Sequence, residues 1–303
     1  MSFHQPVLLK EVIAALKVEK NKNYVDCTFG EGGHSLEILK KNGPKGKVLG
    51  IEINPTLYKQ ALKRKIKRLV LVNDDFSKIK EICERENFKK VWGILFDLGL
   101  SSWHLEKSGL GFSFKKEEPL IMRYDLEKES LKDLSPEELT AAKVINEFSK
   151  EKIEEILKKY GQEKFAKRIA QKIEEARRFK KIVTTKELVE TIEKAVPKWY
   201  QRQRRHFATK TFLALRVFVN KECERLEKGL SESVEVLEKG GRLAVISFHS
   251  LEDRICKRIF KKMATENKIK ILTKKPIIPT KEEVLKNPRS RSAKLRVAEK
   301  YAS

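Results

Sequence analysis

The chain has few cysteines and no long apolar run, and both shortages exclude functions. Cys27, Cys83, Cys223 and Cys256 are scattered, without any Cys-x-x-Cys pair. Neither a zinc site nor a disulfide framework is expected, and no metal is assigned. No apolar stretch reaches the roughly 18 residues of a membrane span. No N-terminal segment joins a charged start, an apolar core and a small-residue cleavage site. A cytoplasmic protein without a membrane partner is therefore expected.

Acidic charge is also in short supply. Lys plus Arg number 67 against 43 Asp plus Glu, a formal net charge of +24. A surface rich in Lys and Glu explains many charges of both signs. It does not explain the imbalance, which points to a polyanionic partner, nucleic acid first. With 303 residues, 40% of them apolar, the chain can build one large domain or a domain with an insertion.

What is present is an alternation. Strands are expected at 24–28, 47–53, 69–73 and 91–97, with helices at 7–16, 34–41, 56–65 and 77–87 between or before them. That rhythm indicates a parallel α/β sheet. It breaks near residue 108. Helices alone are expected from Ser135 to Pro197. Ser135-Pro136-Glu137-Glu138 reads as a helix start, Tyr160-Gly161 as a helix end, and Thr184 with Glu187 as a capping box. A long helical region, 208–239, then leads to a fifth strand, RLAVIS. Ser250 and Asp253 resemble a capping pair for the helix that follows, and KIKIL (268–272) and KLRVAEK (294–300) are expected to pair as terminal strands. The organisation is a discontinuous domain, 1–108 and 206–303, with an inserted helical domain over 109–205.

The stretch YVDCTFGEGGHS (24–35) places Gly30, Gly32 and Gly33 directly after the first strand. Such glycines let backbone turn tightly against a ligand. A P-loop needs a lysine after them, and here His34 and Ser35 follow. A nicotinamide site wants a different glycine spacing. Glu52 lies 19 positions after Gly33 at the end of the second strand, where a carboxylate can accept both hydroxyls of a ribose. Asp26 and Glu31 flank the loop. Carboxylates there suit a sulfonium nucleoside, S-adenosylmethionine, better than a pyrophosphate. Asp74, Asp75 and Phe76 follow the third strand and could meet an adenine; Asp97 ends the fourth. All these positions fall at the carboxyl ends of strands, where open α/β sheets bind ligands.

The segments HQPVLLKE (4–11), DCTFGEGGHS (26–35), DLGLSSWHLE (97–106), GFSF (111–114), KYGQEKFAKRIA (159–170), HFATKTFLALRVFVN (206–220), GGRLAVISFHSLEDRICK (240–257) and NPRSRSAKLRVAE (287–299) resemble, in the same order, the bacterial 16S rRNA cytosine-N4 methyltransferase family (RsmH, also called MraW). The resemblance covers nearly the whole chain. It implies a class I S-adenosylmethionine-dependent methyltransferase fold, Rossmann-like, with an inserted helical domain that recognises substrate. The implied reaction is methyl transfer to N4 of a cytidine in the decoding centre of the small ribosomal subunit, so 16S rRNA within that subunit is the implied partner. Carried onto matching positions, the cofactor residues are Gly32, Gly33, His34, Glu52, Phe76, Asp97 and His104, with Gly30 in the same loop. Among the positions that depart from the family pattern, His104 stands where Gln is frequent, Glu52 where Asp is common, Ile121 where an Asp is usual and Phe207 where a Pro is usual.

Methylation at cytosine C5 needs a cysteine nucleophile, and no Pro-Cys or Thr-Cys follows strand four or five. Transfer to an amine needs acceptors for the amino hydrogens and in-line alignment. Asp97 ranks first as a cofactor ligand and is also a catalytic candidate; Ser247 and His249 are secondary candidates for base contact or proton release. Trp103, Phe112 and Phe114 could stack an unstacked base. The basic segments 167–181, 202–206 and 289–296 offer phosphate contacts, with Arg202, Arg204, Arg205, Arg289 and Arg291 as the RNA-binding candidates. Two other readings stand beside this one. The first is a non-catalytic ribosome-assembly factor that holds the cofactor. The second is a DNA amino-methyltransferase, which would show an Asp/Asn/Ser-Pro-Pro-Tyr/Phe segment where this chain has Asp97-Leu98-Gly99-Leu100. The sequence leaves room for a homodimer.

Overall fold

The computed structural model describes residues 6–135 and 137–301. His4 and Gln5 of the first shared segment, and Pro136 of the expected helix start, lie outside the described residues. The chain divides into two compact units, one comprising Met1–Gly99 with Cys223–Ser303 and the other Leu100–Glu222. The expected insertion, 109–205, falls inside the second.

The first unit opens with α1 (Leu9–Ala15) and then alternates β1 (Asn23–Asp26), α2 (Gly33–Lys41), β2 (Val48–Ile51), α3 (Pro55–Leu62), β3 (Leu69–Val72), α4 (Ile79–Arg85) and β4 (Val91–Asp97). β1 pairs in parallel with both β2 and β4, Tyr24 lying opposite Val48 and Gly93. All four residues of β2 are buried, as expected for a strand covered on both faces. Asn54 caps α3 by accepting the Leu57 N–H at 3.0 Å, with Pro55 in the first turn.

The second unit is helical: α5 (Ser102–Glu106), α6 (Ala141–Glu147), α7 (Lys150–Gly161), α8 (Ala166–Arg177), α9 (Thr185–Ala195), α10 (Lys198–Gln201) and α11 (Thr209–Val219). The capping box at Thr184 and Glu187 forms and opens α9. The one at Ser135 does not open a helix. Glu138 accepts the Ser135 N–H at 3.0 Å, but Glu137 and Glu138 are not helical, and α6 starts only at Ala141, behind Thr140. Gly161 is not the left-handed terminator of α7; Gln162 is, at φ 49°. Gly161 is small for another reason: a Cβ there would stand 2.5 Å from the Lys210 carbonyl oxygen of α11.

The first unit then resumes with α12 (Glu222–Val236), β5 (Leu237–Ser247), α13 (Ser250–Thr265), β6 (Ile269–Ile271), α14 (Lys281–Lys286) and β7 (Lys294–Lys300). The expected helical region over 208–239 is two helices, broken at Asn220-Lys221 with Lys221 at φ 48°, and it ends at Val236, where β5 takes over. The sheet order is β3-β2-β1-β4-β5-β7-β6. β5 is parallel to β4, while β7 runs antiparallel to both β5 and β6. Ile94, Leu95, Phe96 and Ile246 are 0% exposed, each burial contributing roughly 2 kcal/mol. The rigid sheet this produces fixes where the strand ends project.

Candidate functional site

Strand order reverses between β1 and β4, and the chain segments leaving β1, β2 and β4 gather there. Gly32 takes φ 83°, and a Cβ on it would lie 2.5 Å from the Phe29 ring. Only glycine fits both demands. The turn is tied to β2 through Glu52: its Oε2 accepts the Gly30 N–H at 2.7 Å and its Oε1 the Asn54 N–H at 2.8 Å. Each carboxylate oxygen keeps a further acceptor site. Glu52 is 5% exposed, and burial lifts its carboxyl from 4.5 to about 7 against the pull of those two N–H groups.

Asp26 and Asp97 complete an acidic crevice. Asp26 accepts the Ser35 hydroxyl at 2.7 Å and the Thr28 N–H at 3.2 Å. Burial raises its carboxyl, and the Ser35 bond draws it back. Thr28 in turn accepts the Asp97 N–H on its Oγ1 at 2.7 Å, locking the end of β4 to the end of β1. His34 Nε2 stands 3.4 Å from Asp97 Oδ2, too loosely aligned for a hydrogen bond. Both ring nitrogens of His34 are buried without a hydrogen-bond partner among the described residues. A buried polar atom so placed asks for a partner. Gly30 leaves the space beside it open, since a Cβ there would meet only the Thr28 carbonyl oxygen, at 3.8 Å. A ligand with donor hydroxyls and positive charge fits this set.

Phe76 is half-buried and packs edge-on against Phe96, with ring centroids 5.3 Å apart. Asp74 and Asp75 are held by protein groups. Asp74 pairs with Lys78 and Arg85. Asp75 accepts the Ser77 N–H and pairs with Arg225 at 2.6 Å. Arg225, from α12, also lies 5.0 Å from the centre of the Phe76 ring. Neither Thr28 nor Arg225 stood out in the sequence. Thr28 lies within the shared DCTFGEGGHS segment and could have been singled out; Arg225 carried no local signal at all.

The secondary candidates carry structural tasks. Ser247 is 2% exposed and donates weakly to the Lys294 carbonyl at 3.4 Å, across the β5–β7 pairing. His249, not Ser250, caps α13: its Nδ1 receives the Glu252 N–H while Glu252 accepts the His249 N–H. Asp253 cannot serve the expected cap because it pairs with Arg296 at 2.7 Å and Lys294 at 3.1 Å. Those pairs withdraw two cations of segment 289–296 from phosphate duty. Arg289 and Arg291 are exposed on the turn before β7.

In the helical unit, His104 is buried, with Nδ1 2.8 Å from the Ser101 hydroxyl and Nε2 without a hydrogen-bond partner among the described residues. Burial, and then the Arg216 charge, hold its pKa down to about 3, so the ring is neutral. Its ring meets Trp103, Phe112 and Tyr124 edge-on with centroids 5.2–5.3 Å apart. Trp103 and Phe112 are therefore core of this unit rather than an exposed stacking surface. Phe114 stacks on His206. Arg202, Arg204 and Arg205 are exposed. In segment 167–181, Arg177 donates to the Ile145 and Phe148 carbonyls and Lys180 pairs with Glu187, so that stretch is less available than its composition suggested.

A family model described as the MraW methylase family matches residues 1–301. The chain belongs to the MraW methylase family. Three relatives are each called Ribosomal RNA small subunit methyltransferase H. The one from Clostridium botulinum (strain Kyoto / Type A2) is 45% identical, with 98% of both chains covered. The one from Persephonella marina (strain DSM 14350 / EX-H1) is 45% identical, covering 98% of this chain and 99% of its own. The one from Dehalococcoides mccartyi (strain ATCC BAA-2100 / JCM 16839 / KCTC 5957 / BAV1) is 44% identical, covering 98% and 86%. A methylase family sits well on this architecture: a seven-stranded sheet with an antiparallel seventh strand is the class I S-adenosylmethionine-dependent methyltransferase fold.

Proposed function

We propose that this chain transfers a methyl group from S-adenosylmethionine to N4 of a cytidine in the decoding centre of the small ribosomal subunit, in the cytoplasm. What carries the reading is membership over residues 1–301 of a methylase family whose relatives are small-subunit ribosomal RNA methyltransferases. The crevice at the strand ends agrees with it chemically. When bound, the sulfonium cofactor supplies an electrophilic methyl group. Glu52 offers its remaining acceptor sites to the ribose hydroxyls. Gly30, Gly32 and Gly33 let the backbone approach, and Phe76 offers a ring edge to the adenine. His34 presents two unmatched ring nitrogens beside Asp97.

The cytosine amino group is a poor nucleophile because its lone pair is delocalised into the ring. Acceptors that hold its hydrogens let the nitrogen pyramidalise and align for attack. Asp97 and the carbonyls just after it are the groups available at the end of β4. Arg202, Arg204, Arg205, Arg289 and Arg291 are the proposed phosphate contacts. The decisive experiment incubates the protein with isotopically labelled cofactor and 30S particles, then digests the RNA and identifies the labelled nucleoside by mass spectrometry. N4-methylcytidine is the expected product. Label at C5, on another base, or nowhere would overturn the reading.

A further inference from the structure

Trp199 is 53% exposed, yet it is built in rather than dangling. It lies in α10 against Tyr200 and Phe165, with ring centroids 5.8 Å from each. Tyr200 and Phe165 meet at 4.9 Å. Beneath them the Tyr200 hydroxyl donates to both oxygens of Glu163, at 3.1 and 2.9 Å. Glu163, 2% exposed, also accepts the Phe165 N–H at 3.0 Å. The indole is thus held on a braced aromatic base, and it keeps much of its surface in water.

The charges around it differ from those elsewhere in the helical unit. Lys152, Lys158, Lys172 and Lys180 each sit on a glutamate within 2.9 Å. Lys164, Arg168, Lys198, Arg202, Arg204 and Arg205 are exposed, and among the described residues none of the six is in an ion pair. Lys164 Nζ instead lies 4.5 Å from the Trp199 ring centre and 5.4 Å from that of Phe165. From Lys194 to His206 the sequence carries five cations and no carboxylate. A more exposed aromatic, Phe179 at 93%, lacks this setting, because Arg178 and Lys180 beside it face Glu174 and Glu187.

An exposed, braced indole with Lys164 over its ring, Arg168 over the neighbouring Phe165 and further exposed cations along the same chain segment matches single-stranded nucleic acid. A base stacks on the ring while the cations take the flanking phosphates. We propose that Trp199 is a stacking platform for an unpaired nucleotide of the substrate RNA, apart from the base that is methylated, and that it sets how the RNA is presented by the helical unit. This rests on the RNA-methyltransferase reading above. An apolar protein partner would explain the exposed indole but not the six cations without carboxylate partners.

The full-length chain is tested with Trp92 and Trp103 replaced by Phe, so that Trp199 alone reports. A synthetic RNA hairpin with a single-stranded loop should quench its emission on binding. Heparin should bind without comparable quenching, and S-adenosylhomocysteine should leave the signal unchanged. In the otherwise native chain, Trp199→Ala should weaken hairpin binding roughly tenfold, whereas Trp199→Phe should stay within about threefold. S-adenosylhomocysteine affinity should hold in both variants. RNA binding with Trp199 emission unchanged, or equal affinity of the Ala and wild-type chains, overturns the platform while leaving methyl transfer standing. Quenching by small-subunit proteins but not by RNA also overturns it. Absence of both RNA binding and methyl transfer in the wild type would instead bring down the substrate reading beneath it.

Discussion

Glu52 Oε2 accepts the Gly30 N–H at 2.7 Å, so one carboxylate joins the end of β2 to the glycine turn after β1. Burial lifts the same carboxyl from 4.5 to about 7. Two pH effects of opposite direction follow.

The folded chain holds the Glu52 proton more tightly than the unfolded chain. Its contribution to stability is therefore fully present below pH 4.5 and is lost as pH rises through about 7. Between about pH 5 and pH 8, Glu52→Gln should gain on the ligand-free wild type by up to roughly 3 kcal/mol, read from paired denaturant melts. Ligand binding runs the other way. Ribose hydroxyls donate to the ionised form, so S-adenosylhomocysteine should bind more tightly as pH rises through about 7, releasing a proton. Titration calorimetry in buffers of different ionisation heat measures that release. Binding that is flat with pH, and equal in the Gln variant, would remove Glu52 from the ribose.

Glycine at 32 answers to two constraints and glycine at 30 to one. Gly32→Ala meets both a left-handed backbone and the Phe29 ring at 2.5 Å. It should lower stability by about 2 kcal/mol or more and abolish cofactor binding. Gly30→Ala meets open space at φ 54°. It should cost about 1 kcal/mol and weaken cofactor binding only if the ligand fills that space. Thermal melts with and without S-adenosylhomocysteine separate the two positions. Equal behaviour of both variants would mean that Phe29 yields.

Asp97 holds its place through backbone bonds, its N–H on Thr28 and its Oδ1 receiving the Gly99 N–H at a long 3.4 Å. Removing the carboxylate should therefore spare the fold. Asp97→Ala is expected to melt within a few degrees of wild type while methyl transfer to 30S particles falls by about a hundredfold or more. Thr28→Val should act through Asp97, lowering the rate less than Asp97→Ala does. An Asp97→Ala enzyme of normal rate would place the chemistry elsewhere.

The strand ends were legible in the sequence because parallel α/β sheets put their ligand groups there and because β1, β2 and β4 read as short apolar runs ending in acids. The family segments then marked which acids to watch. What the sequence hid was partnership at long range. Ser250–Asp253 and His249–Glu252 are equally good capping pairs by spacing. The choice is made by Lys294 and Arg296, some forty residues on, which claim Asp253. Tyr160-Gly161 does end α7, but the left-handed residue is Gln162, and the smallness of Gly161 answers to the Lys210 carbonyl beside it. Trp103 and Phe112 look like stacking residues until Tyr124 and His104 close round them. Arg225 reaches Asp75 and Phe76 from α12, about 150 positions later, with nothing local to announce it.

The basic segments divide into cations that hold the fold and cations that face solvent, and salt separates them. Arg202, Arg204 and Arg205 are exposed. Reversing all three to Glu should leave the melting temperature nearly unchanged and lower the slope of log affinity for RNA against log salt. Each lost single-strand phosphate contact removes about 0.7 from that slope, so a fall of roughly 2 is expected. Arg296 is 8% exposed and bonded to Asp253. Arg296→Ala leaves that carboxylate with Lys294 alone, so stability should drop by about 1–3 kcal/mol while the salt slope stays put. Filter binding at several salt concentrations, with a melt of each variant, provides both readouts. A triple reversal that leaves the slope intact would move the RNA face away from α10 and the turn behind it, whereas a slope that falls with Arg296→Ala would mean the Asp253 pairing opens to let that arginine reach phosphate.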